Sequence, residues 1–580
     1  MNQKEQSTGG YGPLLIVVGI AGSVFLLLRL LAAPEPANVG EEPSEATATG
    51  EQSVTDTEDG SIQDVPTATE SVVQPETPAQ SEPQEVIVDA TPSEVDDTVE
   101  AGEAASAIRV KMPWDSWPKP QLAFILTGEQ HGYFEPCGCT SNQLGGMSRR
   151  ANLVQKMQDA GWNVRGLDVG GLSRRSVRQS QIKFETTIAA FKQLKYIAIG
   201  IGPEELRLRP DFLLTQHLVD GDSPIHFLSA NLVFYETPEL GTPAPSVIVE
   251  ENGVKIGVTS VMSDGLQKLI FPYPDVTWKD PEPELKKVVA DFEKQTVDLK
   301  VLLSQSTLEE SQELATQFPQ FQIVLTAEGT GDPDPAAPPQ KVGDTLLIET
   351  GRKGKYVGVL GFYPEDKETP FRYQLVALER EDFDETPEMV KLMEGYQERL
   401  KDEQIVLADA ISAPHPSGAT FVGADKCGEC HSHAFDIWKD TKHAHALDSL
   451  DPIHKRTGFE RLNGINRSFD PECLSCHVVG WDPQEYIRFR SGFLNEEFAA
   501  DPAEKTLHKL LGGNQCENCH GPGSQHIADV DVDAEDVGKT VRVTYDQAEN
   551  GMCEKCHDAD NSPKFDFAKY WEQVKHDEPE

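Results

Sequence analysis

Positive charge is scarce in this chain. Its 580 residues include 51 lysines and arginines against 96 aspartates and glutamates, which gives a net charge of −45 at pH 7. A surface of this sign repels nucleic-acid phosphates, so we expect no nucleic acid among its partners. Apart from one short cysteine motif, nothing repeats along the chain, which excludes a solenoid and leaves room for two or three globular domains.

Lysine and arginine are absent altogether from Pro34 to Ile108. The same stretch has 19 aspartates and glutamates among proline, threonine, serine, alanine and glutamine. Such a self-repelling composition cannot bury enough apolar surface to fold, so it predicts a disordered acidic linker over residues 34–117. The simplest role is a solvated spacer, and the alternative is an acidic docking surface for a basic partner.

One long apolar run precedes this linker. Residues 14–33, LLIVVGIAGSVFLLLRLLAA, are long enough to cross a bilayer, and Arg29 lies near enough to the far end to snorkel. We therefore predict a cytoplasmic tail over 1–12 and a transmembrane anchor over 13–33. A cleavable signal peptide is the alternative, although Pro34 would hinder cleavage. Both interpretations export the rest of the chain.

Cysteine is also sparse, and eight of the ten cysteines belong to four copies of Cys-x-x-Cys-His. Zinc sites and redox dithiols use Cys-x-x-Cys without requiring the histidine, so they stay only as alternatives. The full motif is typical of c-type haem attachment, in which two thiols bond the porphyrin vinyl groups and the histidine binds the iron. The sequence therefore predicts four covalent haems c. The predicted attachment and axial residues are Cys427, Cys430 and His431, Cys473, Cys476 and His477, Cys516, Cys519 and His520, and Cys553, Cys556 and His557.

Methionine is nearly absent from the segment that carries these motifs, residues 417–580. The single Met552 is adjacent to Cys553 and badly placed to reach across a haem, which argues against histidine–methionine ligation. Eleven of the fifteen histidines lie here, and each one outside the motifs is either a distal ligand or an ordinary surface or hydrogen-bonded residue. These candidates are His433, His443, His445, His454, His508, His526 and His576.

The same segment is short for the number of haems that it is predicted to bind. Four haems would have about 41 residues each, too few for an ordinary hydrophobic core. We therefore expect a mainly α-helical and loop domain over 417–580 in which stacked haems form the core and exchange electrons.

The order of these residues resembles the cytochrome c-554/c-prime family of tetrahaem proteins. The resemblance rests on FVGADKCGECH, IWKDTKHAHAL, PECLSCHVVGW, QCENCHGPGSQH and KFDFAKYWEQVKH and covers the whole domain. Two features depart from the family: the loop after Gly-Pro-Gly is shorter, and the last histidine stands four residues from the end of the sequence, where fraying would weaken it. The distal ligands that the resemblance implies, each with the motif histidine of its haem, are His526 with His431, His576 with His520, and His443 with His557.

The resemblance leaves the second haem without a distal histidine. His454 and His508 are the nearest alternatives along the chain, but both fall in polar segments where a solvated histidine is ordinary. An iron with one imidazole and an open face is high-spin and binds small ligands. We therefore expect three low-spin haems and one high-spin haem.

The middle of the chain predicts a different kind of domain. Strand-like runs such as QLAFILT, VKIGVTSVM and FQIVLTA alternate with helical patterns such as FETTIAAFKQLKY and LKKVVADFEKQ. This alternation is typical of an α/β layered domain, here over residues 118–385. A charged amphipathic stretch follows and predicts a connector helix within 386–416.

Several stretches of this domain resemble the calcineurin-like metallophosphatase and 5′-nucleotidase family. They are TGEQHGYFEPCGC, GGMSRRA, LDVGGL, FLSANL and NGVKIGV. The family holds two metal ions with carboxylates and imidazoles that orient a nucleophilic water. The pattern is degraded here, so we expect no catalytic residues and no phosphatase activity. Glu129 and His131 stand for Asp-x-His, Gly171 replaces the bridging Asp, residues 202–205 (GPEE) replace Gly-Asn-His-Glu, Gln305 replaces the lone His, and residues 327–330 (AEGT) replace Gly-His-x-His.

The two remaining cysteines lie in this degraded site. Cys137 and Cys139 form a Cys-x-Cys, which binds a soft metal, closes a small-ring disulfide, or is merely structural. The sequence does not decide among these roles.

Three functions fit these patterns. The first is an electron-transfer protein of the bacterial inner membrane, single-pass, with most of the chain in the periplasm, where haem c is attached, and with redox proteins as partners. The second is a haem enzyme acting on a small nitrogen compound such as nitric oxide or hydroxylamine, and the third is an active phosphoesterase regulated by haem. We favour the first, so the chain is more an electron carrier than an enzyme.

Overall fold

The computed structural model describes most of the chain after the acidic linker. Among the described helices, none is both long and apolar enough to span a bilayer. The predicted anchor (13–33), the linker up to residue 111, Cys137 and Cys139 lie outside the described residues. The described residues are 112–136, 143–219, 225–269, 273–328, 331–453, 463–532 and 535–576.

The middle domain contains two six-stranded sheets within the described residues. The first has the order β14-β13-β1-β2-β3-β4, with β1 to β4 parallel, and the second has the order β11-β12-β10-β9-β7-β6, with β7, β9, β10 and β12 parallel. A short ribbon pairs β5 with β8. The strands are β1 Leu122–Thr127, β2 Val164–Asp168, β3 Tyr196–Gly200, β4 His226–Leu228, β5 Leu232–Phe234, β6 Ser246–Glu251, β7 Val254–Met262, β8 Val276–Trp278, β9 Leu299–Thr307, β10 Ile323–Glu328, β11 Gln340–Val342, β12 Thr345–Glu349, β13 Tyr356–Phe362 and β14 Phe371–Ala377.

The two sheets pack against each other and carry helices on their outer faces. Phe124 and Leu126 of β1 face the second sheet, while Ile125 faces the helices, as the two-residue period of a strand requires. Each such side chain contributes about 1.5–3 kcal/mol through burial. The predicted α/β layered domain is confirmed as a four-layer α/β/β/α arrangement. Its helices are α1 Met147–Asp159, α2 Arg178–Gln193, α3 Pro203–Arg207, α4 Pro210–Val219, α5 Pro281–Lys294 and α6 Leu308–Gln317.

Both ends of this domain extend beyond the predicted boundaries. Met112 and Trp114, assigned to the linker from sequence, are 6% and 3% exposed and join the core beneath the helices. In the predicted connector, helix α7 (Pro387–Asp402) packs on α2 and α1 and places Tyr396 and Leu400 in the same core, and α8 (Ile405–Ala408) follows it. The connector is thus a structural part of the α/β domain.

The C-terminal domain is built from short helices and turns, as predicted. Its hydrophobic core is a small cluster that includes Leu474, Val479, Trp481 and Phe493. The helices are α9 Ala424–Gly428, α10 Ser432–Trp438, α11 Pro471–His477, α12 Pro502–Leu510, α13 Cys516–His520, α14 Ser524–Asp531, α15 Tyr545–Gln547 and α16 Phe567–Val574.

Candidate haem sites and the remnant of a metal site

The loop after β1 carries a histidine between two carboxylates. His131 Nε2 lies 2.9 Å from Glu129 Oε2, and Nδ1 lies 3.0 Å from Glu204 Oε1. Burial alone would lower the pKa of His131, but the hydrogen bonds to both glutamates outweigh it and raise the pKa from 6.5 to about 9. At neutral pH the group is therefore an imidazolium that neutralises charge where a metal ion would otherwise lie.

The neighbouring positions leave no room for the missing ligands. Gly171, at φ +76°, stands where the bridging aspartate belongs, and a Cβ there would lie 2.5 Å from Glu129 Oε1. Gln305 is buried and donates from Nε2 to the Val169 carbonyl at 2.7 Å. Gly171 thus has no room for a side chain, and the Gln305 side chain is engaged by the backbone.

Glu204 is the member of this cluster that sequence reasoning missed. The GPEE stretch was interpreted only as a loss of ligands, although its position after β3 puts it at the edge where β1 also ends. One ligand atom from each of Glu129, His131 and Glu204 lies within 4.8 Å of the others, close enough to hold a metal ion. Both ring nitrogens of His131 are already engaged by carboxylates, so the geometry favours the ion-paired cluster.

Two fully buried carboxylates lie behind the cluster. Glu205 accepts backbone N–H groups of Leu172 at 2.7 Å and Gly202 at 3.0 Å, and Asp168 accepts from Gly170 N at 2.8 Å. Burial raises the pKa of Glu205 to about 8 and that of Asp168 to about 6 against these hydrogen bonds. Through these hydrogen bonds, Glu205 and Asp168 stabilise the loops that follow β2 and β3.

In the C-terminal domain, three of the four motifs lie on or overlap short α-helices, and the fourth begins with a 3-10 helix, Cys553–Lys555. The second occupies α11, which begins with Pro471 after the cap Asp470, whose side chain accepts from Glu472 N. The third occupies α13, where Gln515 and Asn518 form a capping box. The eight motif cysteines are free thiols in this structure.

The structure brings together the three histidine pairs that the family resemblance implies. Two imidazoles that bind one iron from opposite sides have centroids about 6 Å apart, since the metal–nitrogen bond is about 2 Å and the nitrogen lies about 1 Å from its ring centre. The centroid distances are 6.1 Å for His431 and His526, 6.0 Å for His443 and His557, and 5.8 Å for His520 and His576.

Backbone carbonyls orient several of these rings. Nδ1 of His520 lies 2.8 Å from the Val541 carbonyl, and Nδ1 of His526 lies 2.5 Å from that of Val537. A ring that donates its Nδ1 proton to a carbonyl presents the Nε2 lone pair to a metal, which is the usual outer-shell arrangement of a ligating histidine. His576 is oriented in the same way by the Val574 carbonyl, and His557 by Ser562 Oγ at 2.9 Å.

His477 of the second motif is oriented alike but is not paired. Its Nδ1 lies 2.7 Å from the Ala446 carbonyl and 3.2 Å from Ser449 Oγ. Within the described part of the chain, no imidazole faces it at the spacing of the other three pairs. His508 packs its ring on Phe493 with centroids 5.2 Å apart, and His454 lies outside the described residues.

The thiols associate across motifs. The Cys427 thiol donates a hydrogen bond to the Cys516 sulfur, which is the main cause that raises the pKa of Cys427 well above its usual range, and the Cys556 thiol donates in the same way to Cys476. The first motif therefore adjoins the third, and the second adjoins the fourth. Local sequence patterns contain no signal for this pairing.

A cavity of about 1500 Å³ separates the α/β domain from part of the C-terminal domain. One side carries the motif residues Cys473, Cys476, His477 and His557, with His443 beside them. The other side belongs to the α/β domain and its last helix. Its polar lining residues include His131, Tyr133, Arg175, Lys183 and Tyr396.

Comparison with known proteins assigns the two domains to different relatives. Residues 426–521, which contain the first three motifs, match the family model for cytochrome c554 and c-prime. Cytochrome c-554 of Nitrosomonas europaea is 29% identical over 151 residues, covering 24% of this chain and 58% of that protein.

Other matches of this chain are to 5′-nucleotidases. A 5′-nucleotidase of Diplobatis ommata is 25% identical over 213 residues, covering 35% of this chain and 37% of that protein. The crystal structure of a 5′-nucleotidase precursor from Thermus thermophilus matches with a TM-score of 0.42 and 22% identity, covering 50% of this chain and 61% of that one. The chain thus spans less than two thirds of each relative, resembling the cytochrome c554 and c-prime family in its C-terminal segment and the 5′-nucleotidases in its middle region.

Proposed function

We propose that residues 417–580 bind four covalently attached haems c and transfer electrons. The observation that carries this proposal is the set of three histidine pairs, 5.8–6.1 Å apart, each containing the histidine of a Cys-x-x-Cys-His motif. The donor set and its spacing fit haem, with thiols for the vinyl groups and Nε2 atoms for the iron. When bound, haem supplies one-electron redox chemistry, while the chain sets its potential through ligands and burial.

The residues of each haem follow from these pairs and motifs. Attachment uses the eight cysteines of the motifs, and His477, the histidine of the second motif, binds its iron alone. The proposed axial sets are His431 with His526, His520 with His576, His557 with His443, and His477 without a histidine partner.

The intact mass of protein made in cells that attach haem c tests this proposal. We expect four haems to add about 2.5 kDa to the polypeptide. The Cys473→Ala/Cys476→Ala variant, expected to lose one quarter of that increment, is the matched control. A polypeptide mass without any increment contradicts the proposal.

We further propose that the protein is held at the bacterial inner membrane by residues 13–33, with both folded domains in the periplasm and redox proteins as partners. The apolar run and the exported site of haem c attachment support this location. Protease added to spheroplasts should digest the folded domains of the membrane-bound protein. Protection of these domains until the membrane is lysed contradicts the proposed topology.

The second candidate function is a haem enzyme acting on a small nitrogen compound at the second haem. The unpaired imidazole of His477 is the observation that favours it. Carbon monoxide or nitric oxide should bind one haem in four, and His477→Ala should abolish that component. If all four irons are low-spin and inert to carbon monoxide when reduced, the protein is an electron carrier alone.

A further inference from the structure

We propose that the α/β domain forms one side of the second haem site. Gln179 and Gln397 are positioning residues that hold the helix carrying the second motif. This inference rests on the proposed haem-binding function. It concerns residues 179–183 and 396–397, which belong to neither the haem motifs nor the remnant metal cluster.

The central contact is a buried carboxylate held from both sides. Asp470, 4% exposed, caps α11, whose last residue is His477. Gln179 of α2 donates to Asp470 Oδ1 at 2.8 Å, and Gln397 of α7 donates to Oδ2 at 2.8 Å. Both glutamines are themselves 4% exposed, so the α/β domain supplies two dry hydrogen bonds to the start of this one motif helix.

The groups around this carboxylate belong mainly to the same two helices. Lys183 Nζ lies 2.5 Å from Glu472 Oε2, and the Tyr396 hydroxyl accepts from Gln179 Nε2 at 2.9 Å. Lys183, Glu472 and Tyr396 line the cavity together with Cys473 and Cys476. Burial and the charge of Glu472 raise the pKa of Asp470, and the glutamine amides oppose this rise because a donor to a carboxylate stabilises its anion close to the haem attachment site.

Other contacts between the domains fall on the same cavity. Arg175 lies 3.9 Å over the Tyr486 ring and donates to the Gln484 carbonyl at 2.9 Å. The loop after the fourth motif is held through Asp560, which accepts from the Tyr133 hydroxyl at 2.9 Å and pairs with Lys353 at 2.5 Å. The α/β domain therefore contacts the segments around the second and fourth motifs.

The test compares full-length protein carrying Gln179→Leu with Gln397→Leu against wild type and against Gln193→Leu, an exposed glutamine at the end of the same helix α2. Each protein is titrated electrochemically, and the second haem is identified as the signal that His477→Ala removes. Without its two donors, Asp470 takes up a proton and the negative charge near the second haem is lost. We expect its reduction equilibrium constant to rise about tenfold, which is about 59 mV for one electron, while the other haems and the control stay unchanged.

Asp470→Asn is the second variant, because its side chain can still cap α11 but carries no charge. It should shift the same haem in the same direction. Loss of only the second haem from the double variant supports the proposal, since the glutamines are then needed to present the motif. An unchanged second haem in both variants, or equal shifts at all haems, overturns the proposal. A wild-type mass short of four haems contradicts the proposed function itself, before any variant is compared.

Discussion

His131 illustrates how the surroundings of a single residue set its charge. In the ligand pattern implied by the family resemblance, a histidine at this place would hold a metal, but here each of its nitrogens faces a carboxylate. Its backbone has φ +51° and that of Glu129 has φ +48°, unusual values that the hydrogen bonds of both N–H groups to Gly171 and Gly170 maintain. The strained loop thus holds His131 between Glu129 and Glu204.

The raised pKa of His131 predicts a pH dependence of folding stability. The folded state binds the proton up to about pH 9 and the unfolded state only up to about 6.5, so this stabilisation is complete below pH 6.5 and is lost as the pH rises through 9. Its full size is about 3 kcal/mol. Denaturant unfolding between pH 6 and 9.5 should give wild type a larger free energy of unfolding than His131→Gln. This difference in free energy should shrink as the pH rises. A difference in free energy that stays constant with pH would contradict the ion-paired imidazolium. Glu205 and Asp168 also titrate, but both proteins contain them, so their contributions to the pH dependence cancel in the comparison.

A single distal histidine should decide the spin state of its haem. His526→Ala should convert the haem of His431 from low-spin to high-spin, because the ring 6.1 Å from His431 is removed. Carbon monoxide should then bind one more haem than in wild type, as measured by optical difference spectra. His508→Ala is the matched control and should bind no more carbon monoxide than wild type. A His526→Ala spectrum identical to that of wild type would refute the pairing of His431 with His526.

Sequence patterns predicted some functional residues directly, others only through the family resemblance, and missed the rest. The motif histidines follow from Cys-x-x-Cys-His alone, whereas His443, His526 and His576 needed the family resemblance. Glu204 was missed because a carboxylate that replaces a ligand was taken as a loss, and only the fold shows that it faces His131. The partnership of Gln179 with Asp470 spans 291 positions, and neither residue belongs to a motif.

At the scale of elements, the apolar runs located the buried strands well. QLAFILT contains β1 (Leu122–Thr127) and VKIGVTSVM is β7 (Val254–Met262), both almost entirely buried. The strands missing from the prediction, such as β6 (Ser246–Glu251) and β14 (Phe371–Ala377), lie at sheet edges and are mostly half-buried. An edge strand has less need of apolar residues, so its sequence carries a weaker signal.

Helix α13 provides a prediction for a whole element. It is five residues long, Cys516–His520, and only Glu517 within it is buried, so protein contacts alone hold it weakly. Cys516→Ala with Cys519→Ala should remove one haem, lowering the intact mass by about 0.6 kDa. The variant should also unfold at lower denaturant concentration, because that haem is much of the local core. Retention of all four haems would rule out attachment at this motif.

The whole molecule combines a metallophosphatase-like α/β domain with a C-terminal domain that resembles cytochrome c-554. We expect no hydrolysis of 5′-nucleotides with added manganese or zinc, since Gly171 and Gln305 supply no ligand. A steady-state phosphate-release assay on the full-length protein measures this. Robust activity that His131→Ala abolishes would show a working metal centre and refute the dead-enzyme interpretation.

The contacts between thiols of different motifs bear on how such a protein is made. Cys427 lies within hydrogen-bonding reach of Cys516, and Cys476 of Cys556, although each motif is proposed to attach its own haem. Thiols that meet in an oxidising compartment are substrates for disulfide formation. A polypeptide that compacted first would bring the wrong sulfurs together and lose both attachment points. If the haems attach as proposed, we therefore expect attachment to precede collapse of this domain, so that its biogenesis depends on the order of events as well as on the final fold.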